Sequence, residues 1–143
     1  PGLPVRPGES GHTLTTVGVP HLALVVDELE QPDLMDRGRV LRFHAAVGPA
    51  GANVNFLGKG AGDAGWCLRT YERGVEGETL ACGTGAVAGA IALVAQGRAR
   101  MPVRIVTRSG RPLVISATLS GPRATDVRLR GEGRLVFEGR YRR

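Results

Sequence analysis

The residues Glu72-Arg73-Gly74 and, after a short gap, Glu78-Thr79-Leu80-Ala81-Cys82-Gly83-Thr84-Gly85 gather ionisable groups, small residues and a thiol directly ahead of an apolar run, Ala86 to Ala95. A cysteine at a helix start faces the positive end of the helix dipole and unpaired backbone N–H groups, both of which favour the thiolate. Gly83 and Gly85 leave the N–H groups of Gly83, Thr84 and Gly85 uncovered, so an anion such as a carboxylate can approach them closely. A thiolate beside a carboxylate cradle suits an α-amino acid. The plainer reading of Cys82 is a small buried hydrophobe; the flanking glycines and acids favour chemistry. The second thiol, Cys67, sits in the strand-like Trp66-Cys67-Leu68-Arg69-Thr70 and reads as inert and buried.

Other motifs fail on context. Gly83-Thr84-Gly85-Ala86-Val87-Ala88 fits a loose dinucleotide-binding pattern, but Glu76-Gly77-Glu78-Thr79 is too polar for the buried strand that must precede it. Neither a phosphate-loop nor a serine-hydrolase motif occurs. The two cysteines lack the spacing of a zinc site or a disulfide framework, so no metal is expected and reduced thiols are.

These residues need a scaffold. Residues 1–11 are rich in Pro and Gly and read as a lead-in, with one domain over residues 12–143. His12 to Val17 and His21 to Asp27 read as strands separated by a break at Gly18-Val19-Pro20. Asp33 to Phe43 has partly helical spacing, with Asp33 as N-cap. Asn53 to Leu57 and Trp66 to Glu72 read as strands around the glycine-rich turn Gly58-Lys59-Gly60-Ala61-Gly62. The run Ala86 to Ala95, stopped by Gly97, is apolar all round, so protein must enclose it. Val103 to Thr107, Leu113 to Thr118, Val127 to Arg130 and Arg134 to Glu138 read as further short strands. The architecture implied is α+β: mixed, barrel-like strands wrapped around a central buried α-helix.

With 143 residues, 42 % of them hydrophobic, the chain can bury the core of one domain. No apolar run approaches ~18 residues and no export signal opens the sequence, so a soluble cytoplasmic protein with no membrane partner is expected. The net charge of +6 raises nucleic acid as a partner. The arginines are dispersed through Arg37, Arg69, Arg98, Arg104, Arg123 and Arg130 to the tail, and aromatics are few, so nucleic-acid binding is not expected.

Glu72-Arg73-Gly74 with Glu78 to Ala86 resembles the second active-site cysteine motif of the diaminopimelate epimerases. Gly18-Val19-Pro20-His21 is similar to that family's Gly-Asn-Pro-His element, Asn53-Val54-Asn55-Phe56 to its Asn-containing strand, and Phe137-Glu138-Gly139 to its C-terminal strand. The blocks fall in the family's order, from about Val17 to Gly139. The resemblance implies two domains, each wrapping mixed strands around a helix. It implies epimerisation of LL- to meso-diaminopimelate by two cysteines without a cofactor, as part of lysine and cell-wall precursor synthesis. Cys82 would be one of the thiols, with His21 and Glu72 close to the reacting sulfurs. Gly83 and Thr84 would hold the substrate carboxylate, and Asn53 and Arg73 the polar distal end. The one lysine, Lys59, lies in a glycine-rich turn and is a poor Schiff-base candidate.

Val19 stands where the family commonly has a substrate-binding Asn, and Glu76 adds a residue to the loop before Cys82. The family's N-terminal half, with its Asn-Gly-x-Arg-Cys motif, does not occur in these residues. The expected partners are then an amino-acid substrate and the missing half, with a second copy in a homodimer as a further option; the isolated chain is expected to be inactive. A related cofactor-independent racemase or isomerase and a non-catalytic binding module of the same fold are the alternatives.

Overall fold

The computed structural model describes residues 2–61 and 65–142. The first two strands, β1 (Glu9–Val17) and β2 (Val19–Val26), form a hairpin turned at Gly18, whose φ of 72° suits glycine. The expected break is therefore one residue wide, and Pro20 sits at the strand's start, where its missing N–H costs little. β1 begins inside the stretch read as a lead-in. Glu9 receives two hydrogen bonds from Arg37, at 2.6 and 2.7 Å, and both side chains are almost fully buried. Burial alone would raise the Glu9 carboxyl, yet Arg37 and the Arg6 N–H hold it below its ordinary value. That tertiary pairing orders residues whose composition suggests a linker.

α1 (Leu34–Arg42) follows, then a single 3₁₀ turn, β3 (Asn53–Lys59), β4 (Trp66–Glu72), the short β5 (Gly77–Thr79) and α2 (Gly83–Ala95). β6 (Val103–Val106), β7 (Pro112–Ser120) and β8 (Arg123–Arg130) complete the sheet. Asp33 occupies the N-cap of α1 but makes no capping bond; its carboxylate accepts from Arg6 Nη1 at 2.9 Å instead. The tip of the glycine-rich turn, Gly62, lies outside the described residues.

The strands line up as β1-β2-β3-β4-β6-β7-β8, with β5 paired to the far end of β4. The β2–β3 and β4–β6 pairs are parallel and the others antiparallel. Parallel neighbours need a crossover, and these two crossovers carry the two helices. α1 covers the face presenting Leu22, Leu24, Val26, Val54, Phe56 and Tyr71, and α2 covers the opposite face, with Ala23, Val25, Leu57, Leu68 and Ile105. α2 lies against β1, β2, β3, β4, β6, β7 and β8, so the sheet curls round it as its apolar composition requires. Its small residues permit that closeness: a Cβ on Gly89 would stand 3.0 Å from Leu57. Each large side chain fully buried there, such as Leu93, contributes about 1.5–3 kcal/mol.

The strand expected over Arg134 to Glu138 does not form. Residues 131–142 run without regular structure, and Leu135, Val136 and Phe137 are more than 80 % exposed. Alternating apolar residues make a strand only when a neighbouring edge supplies N–H and C=O partners, and the ladder among the described residues ends at β8.

Candidate active site at the start of the buried helix

Side chains alternate along a strand, so His21, Ala23 and Val25 of β2, Asn53, Asn55 and Leu57 of β3, and Leu68, Thr70 and Glu72 of β4 all turn toward the α2 face. The register sets His21 beside Asn53 and Asn55 opposite Thr70. Further along each strand this face is apolar. At the near end it is polar throughout, and there α2 begins.

Cys82 is the N-cap of α2, with extended backbone (φ −128°, ψ 106°). Its Sγ accepts the Gly85 N–H at 3.3 Å and lies 3.6 Å from Thr84 Oγ1. The sulfur thus does what an oxygen does at most N-caps. Cys82 is 8 % exposed and belongs to neither apolar cluster. The backbone ladder starts with Ala86 N–H to Cys82 O at 2.9 Å, which leaves the N–H groups of Gly83 and Thr84 ahead of it on exposed residues. Of the three amides expected as an anion cradle, Gly85's is engaged by the sulfur. Gly85 is glycine for lack of space: a Cβ would lie 2.3 Å from Asn55 Oδ1 and 3.0 Å from Cys82 Sγ.

His21 is fully buried, and burial pushes its ring down to about 4; Glu72 draws it up and Arg73 pushes it down, which puts both charges within reach of the imidazole. It is therefore neutral near pH 7. Asn53, expected to meet substrate, has its Oδ1 filled by the Arg73 N–H at 2.7 Å and its Nδ2 3.5 Å from Pro20 O, tying the ends of β2, β3 and β4 together. The Arg73 guanidinium reaches Ala50 O at 3.4 Å. Cys67 lies on β4, half-buried against the α1-side cluster and paired opposite Gly58 on β3. Lys59 stacks over the Trp66 ring, 4.0 Å from its centroid.

His21, Asn53, Glu72, Cys82, Gly83 and Thr84 thus share one end of the α2 face, while the Arg73 guanidinium meets the same Ala50 carbonyl that Arg42 of α1 contacts. Two further residues lie at this end, Asn55, which falls within the Asn53 to Phe56 block but is given no role there, and Thr70, which no motif read above includes. They are buried polar residues, each with one polar and one apolar neighbour on the same face of its strand (Asn53 and Leu57, Glu72 and Leu68), and that polar intrusion into a core-facing row is the signal that could have found them. The surface hollows lined by Arg42, Phe43 and Pro49 and by Thr15, Val87 and Pro122 contain none of the site residues. No described helix is long and apolar enough to cross a membrane.

The chain is 42 % identical to a diaminopimelate epimerase of Gemmatimonas aurantiaca across 97 % of its own length and 53 % of the relative's. It is 44 % identical to that of Aquifex aeolicus, across 86 % and 43 %. The chain spans about half the length of the curated relatives it matches. Among solved structures, a phenazine biosynthesis protein of the PhzF family from Enterococcus faecalis superposes with a TM-score of 0.52 at 18 % identity, covering 68 % of this chain and 33 % of that one, a likeness of fold. The profile described as diaminopimelate epimerase matches residues 13–128, and the chain belongs to that family.

Proposed function

We propose that this chain supplies one half of the active site of an epimerase that inverts an α-carbon of diaminopimelate, with Cys82 as one of two proton-transferring thiols. Inversion needs a base on one face of the carbon and an acid on the other. In one direction the Cys82 thiolate takes the α-proton and becomes a thiol, while a second thiol, on the half not represented here, gives its proton to the opposite face and becomes a thiolate. Net charge is unchanged, and the same pair runs the reverse reaction. The transient carbanion calls for donors beside the carboxylate, a role suited to the Gly83 and Thr84 N–H groups. His21 and Glu72 would sit beside the reacting sulfur, and Arg73, oriented through Asn53, would hold the distal polar end.

The observation that carries this reading is Cys82 as N-cap, its sulfur on the Gly85 N–H and two bare amides next to it, at the polar end of a face otherwise built as core. The test is exchange of the α-hydrogen of LL-diaminopimelate for deuterium, followed by NMR. The expected result is no exchange by the chain alone, exchange once the family's N-terminal half is added, and its loss in Cys82→Ala. Turnover by the lone chain overturns the half-site reading; exchange by the recombined Cys82→Ala protein removes Cys82 from the chemistry.

Val19, in place of the family's Asn, favours one second reading, a related cofactor-independent isomerase acting on another amino acid. A panel of amino acids in the same assay separates the two.

A further inference from the structure

The turn Arg73-Gly74-Val75-Glu76 joins β4 to β5, whose residues Glu72 and Gly77 face each other across the hairpin. Glu76 closes this turn with φ at 57°, a left-handed backbone that glycine adopts freely and glutamate does not. Its side chain shows what offsets that cost. The Oε1 atom accepts the Gly74 N–H at 3.0 Å and both Nε and Nη2 of Arg42, at 3.2 and 3.0 Å. The Gly74 N–H, Arg42 and the Tyr71 side chain together hold the carboxyl below its ordinary value, against the effect of desolvation.

Arg42 comes from the last turn of α1, and its side chain is nearly buried. Its guanidinium lies over the Phe43 ring, 4.3 Å from the centroid, and Gly51 makes room for it, since a Cβ there would collide with Nη1. That Nη1 lies 3.4 Å from the Ala50 carbonyl, and Nη1 of Arg73 lies 3.4 Å from the same oxygen. Two guanidinium groups therefore meet at one acceptor, with a single carboxylate close to both. Glu76 is three residues from Arg73 on the same turn, yet it pairs with Arg42, 34 residues away in the chain. Arg73 has its main-chain N–H fixed by Asn53 Oδ1 at 2.7 Å, and among the described residues its guanidinium has no ion pair.

We propose that Arg42 is a positioning residue: by holding the Glu76 carboxylate against α1 it keeps that carboxylate off Arg73, whose charge stays uncovered for an anionic group of the substrate. A carboxylate arriving from outside competes with any acid already paired to the guanidinium, because both claim the same fork of N–H donors. Glu76 is also the residue that the sequence adds to the loop before Cys82, so the chain that gained an acid beside this arginine also holds the acid elsewhere. The benefit to substrate binding rests on the function proposed above, in which Arg73 takes the distal end; the pairing of Glu76 with Arg42 does not.

The pairing is read by NMR in the wild-type 143-residue chain, with the arginine Nε–H signals assigned through their own backbones. The Arg42 Nε–H is expected to exchange slowly with water and to shift as the Glu76 carboxyl titrates in acid, and the Arg73 Nε–H to do neither. An Arg73 signal that follows Glu76, or an Arg42 signal that does not, overturns the proposal. In the recombined enzyme, Arg42→Ala releases Glu76 to Arg73 and should raise KM for LL-diaminopimelate about fivefold with kcat little changed, the pattern of lost ground-state binding. Adding Glu76→Gln to that variant removes the released charge and should return KM to within about twofold of wild type. A role confined to packing would leave the double variant as impaired as Arg42→Ala or worse, and that result, or an unchanged KM in Arg42→Ala, overturns the proposal. Where Arg42→Ala fails to fold, the wild-type spectra still decide which arginine holds Glu76. Absence of exchange by the wild-type pair overturns the epimerase reading and leaves the pairing, as read in the lone chain, standing.

Discussion

Arg69 and Glu78 join β4 to β5 through two parallel hydrogen bonds, Nε to Oε1 at 2.7 Å and Nη2 to Oε2 at 2.9 Å. The third guanidinium nitrogen donates to the Leu29 carbonyl at 2.6 Å, and Arg108 adds a longer contact to Glu78 at 3.7 Å. Just beyond Glu78, the Leu80 carbonyl accepts the Ser109 N–H at 2.9 Å. The polar segment that delivers Cys82 to its cap position is therefore pinned from both sides, although it buries few apolar side chains of its own.

Glu78→Gln keeps the shape of this clamp and removes its charge. The Arg69 hydrogen bond holds the Glu78 carboxyl below its ordinary 4.5 against the opposing effect of burial. A lowered folded value means the stabilisation is complete above 4.5 and fades as pH falls through the folded value. Urea unfolding at pH 7 should show Glu78→Gln less stable by about 1–2 kcal/mol, the scale of a charge-assisted bond in a part-buried site. The difference should shrink steadily in acid. An equal gap at both ends of the pH range would mean that the ion pair is not its source.

Gly83 and Gly85 look alike in the sequence and differ in the fold. A Cβ on Gly83 meets Leu129 Cδ1 at 3.6 Å, an ordinary contact, whereas on Gly85 it collides with Asn55 Oδ1 and crowds the sulfur. Gly83→Ala should unfold within about 0.5 kcal/mol of wild type. Gly85→Ala should lose about 1–3 kcal/mol by overpacking, even though alanine is by about 1 kcal/mol the better helix former. Thermal unfolding of the two variants side by side checks this, and equal melting temperatures would rule out the packing of Asn55 against the helix start.

What can be read from the residues divides along the same line. α2 is legible because an apolar run without a polar face leaves only enclosure, and the place of Cys82 at its start because Gly83 and Gly85 follow the thiol directly ahead of that run. The strands β2, β3 and β4 show in their β-branched and apolar content. β5 does not, since Gly77-Glu78-Thr79 has no strand pattern and is ordered by Arg69, a partner nine residues back that no local window includes. Glu9 escapes a local reading for the same reason, its partner Arg37 lying on α1. Over residues 134–138 the pattern points to a strand that lacks a neighbour here. Periodicity reports what a segment is suited to, and a strand forms only where the segment pairs, which these residues do at neither end strand, β1 nor β8.

The burial of His21 carries a stability cost in acid. A histidine whose folded value is depressed binds its proton more readily when unfolded, so the folded state loses ground as pH falls below the ordinary 6.5 and stops losing it near the folded value of about 4. A gap of that size corresponds to about 3 kcal/mol for a fully buried ring. His12, also lowered chiefly by burial, titrates in the same window with a smaller share because it is less buried. The carboxylates of Glu9 and Glu78 are held below 4.5, so between 6.5 and 4.5 the histidines dominate. Stability from urea unfolding should therefore decline by about 2–3 kcal/mol as pH is taken from 6.5 to 4.5. Most of that slope should disappear in His21→Gln and a minor part in His12→Gln. The slope is the quantity to compare, because replacing His21 also removes its bond with Asn55 and shifts stability at every pH. A His21→Gln variant with the full wild-type slope would show that this histidine is already free to take its proton in the folded protein.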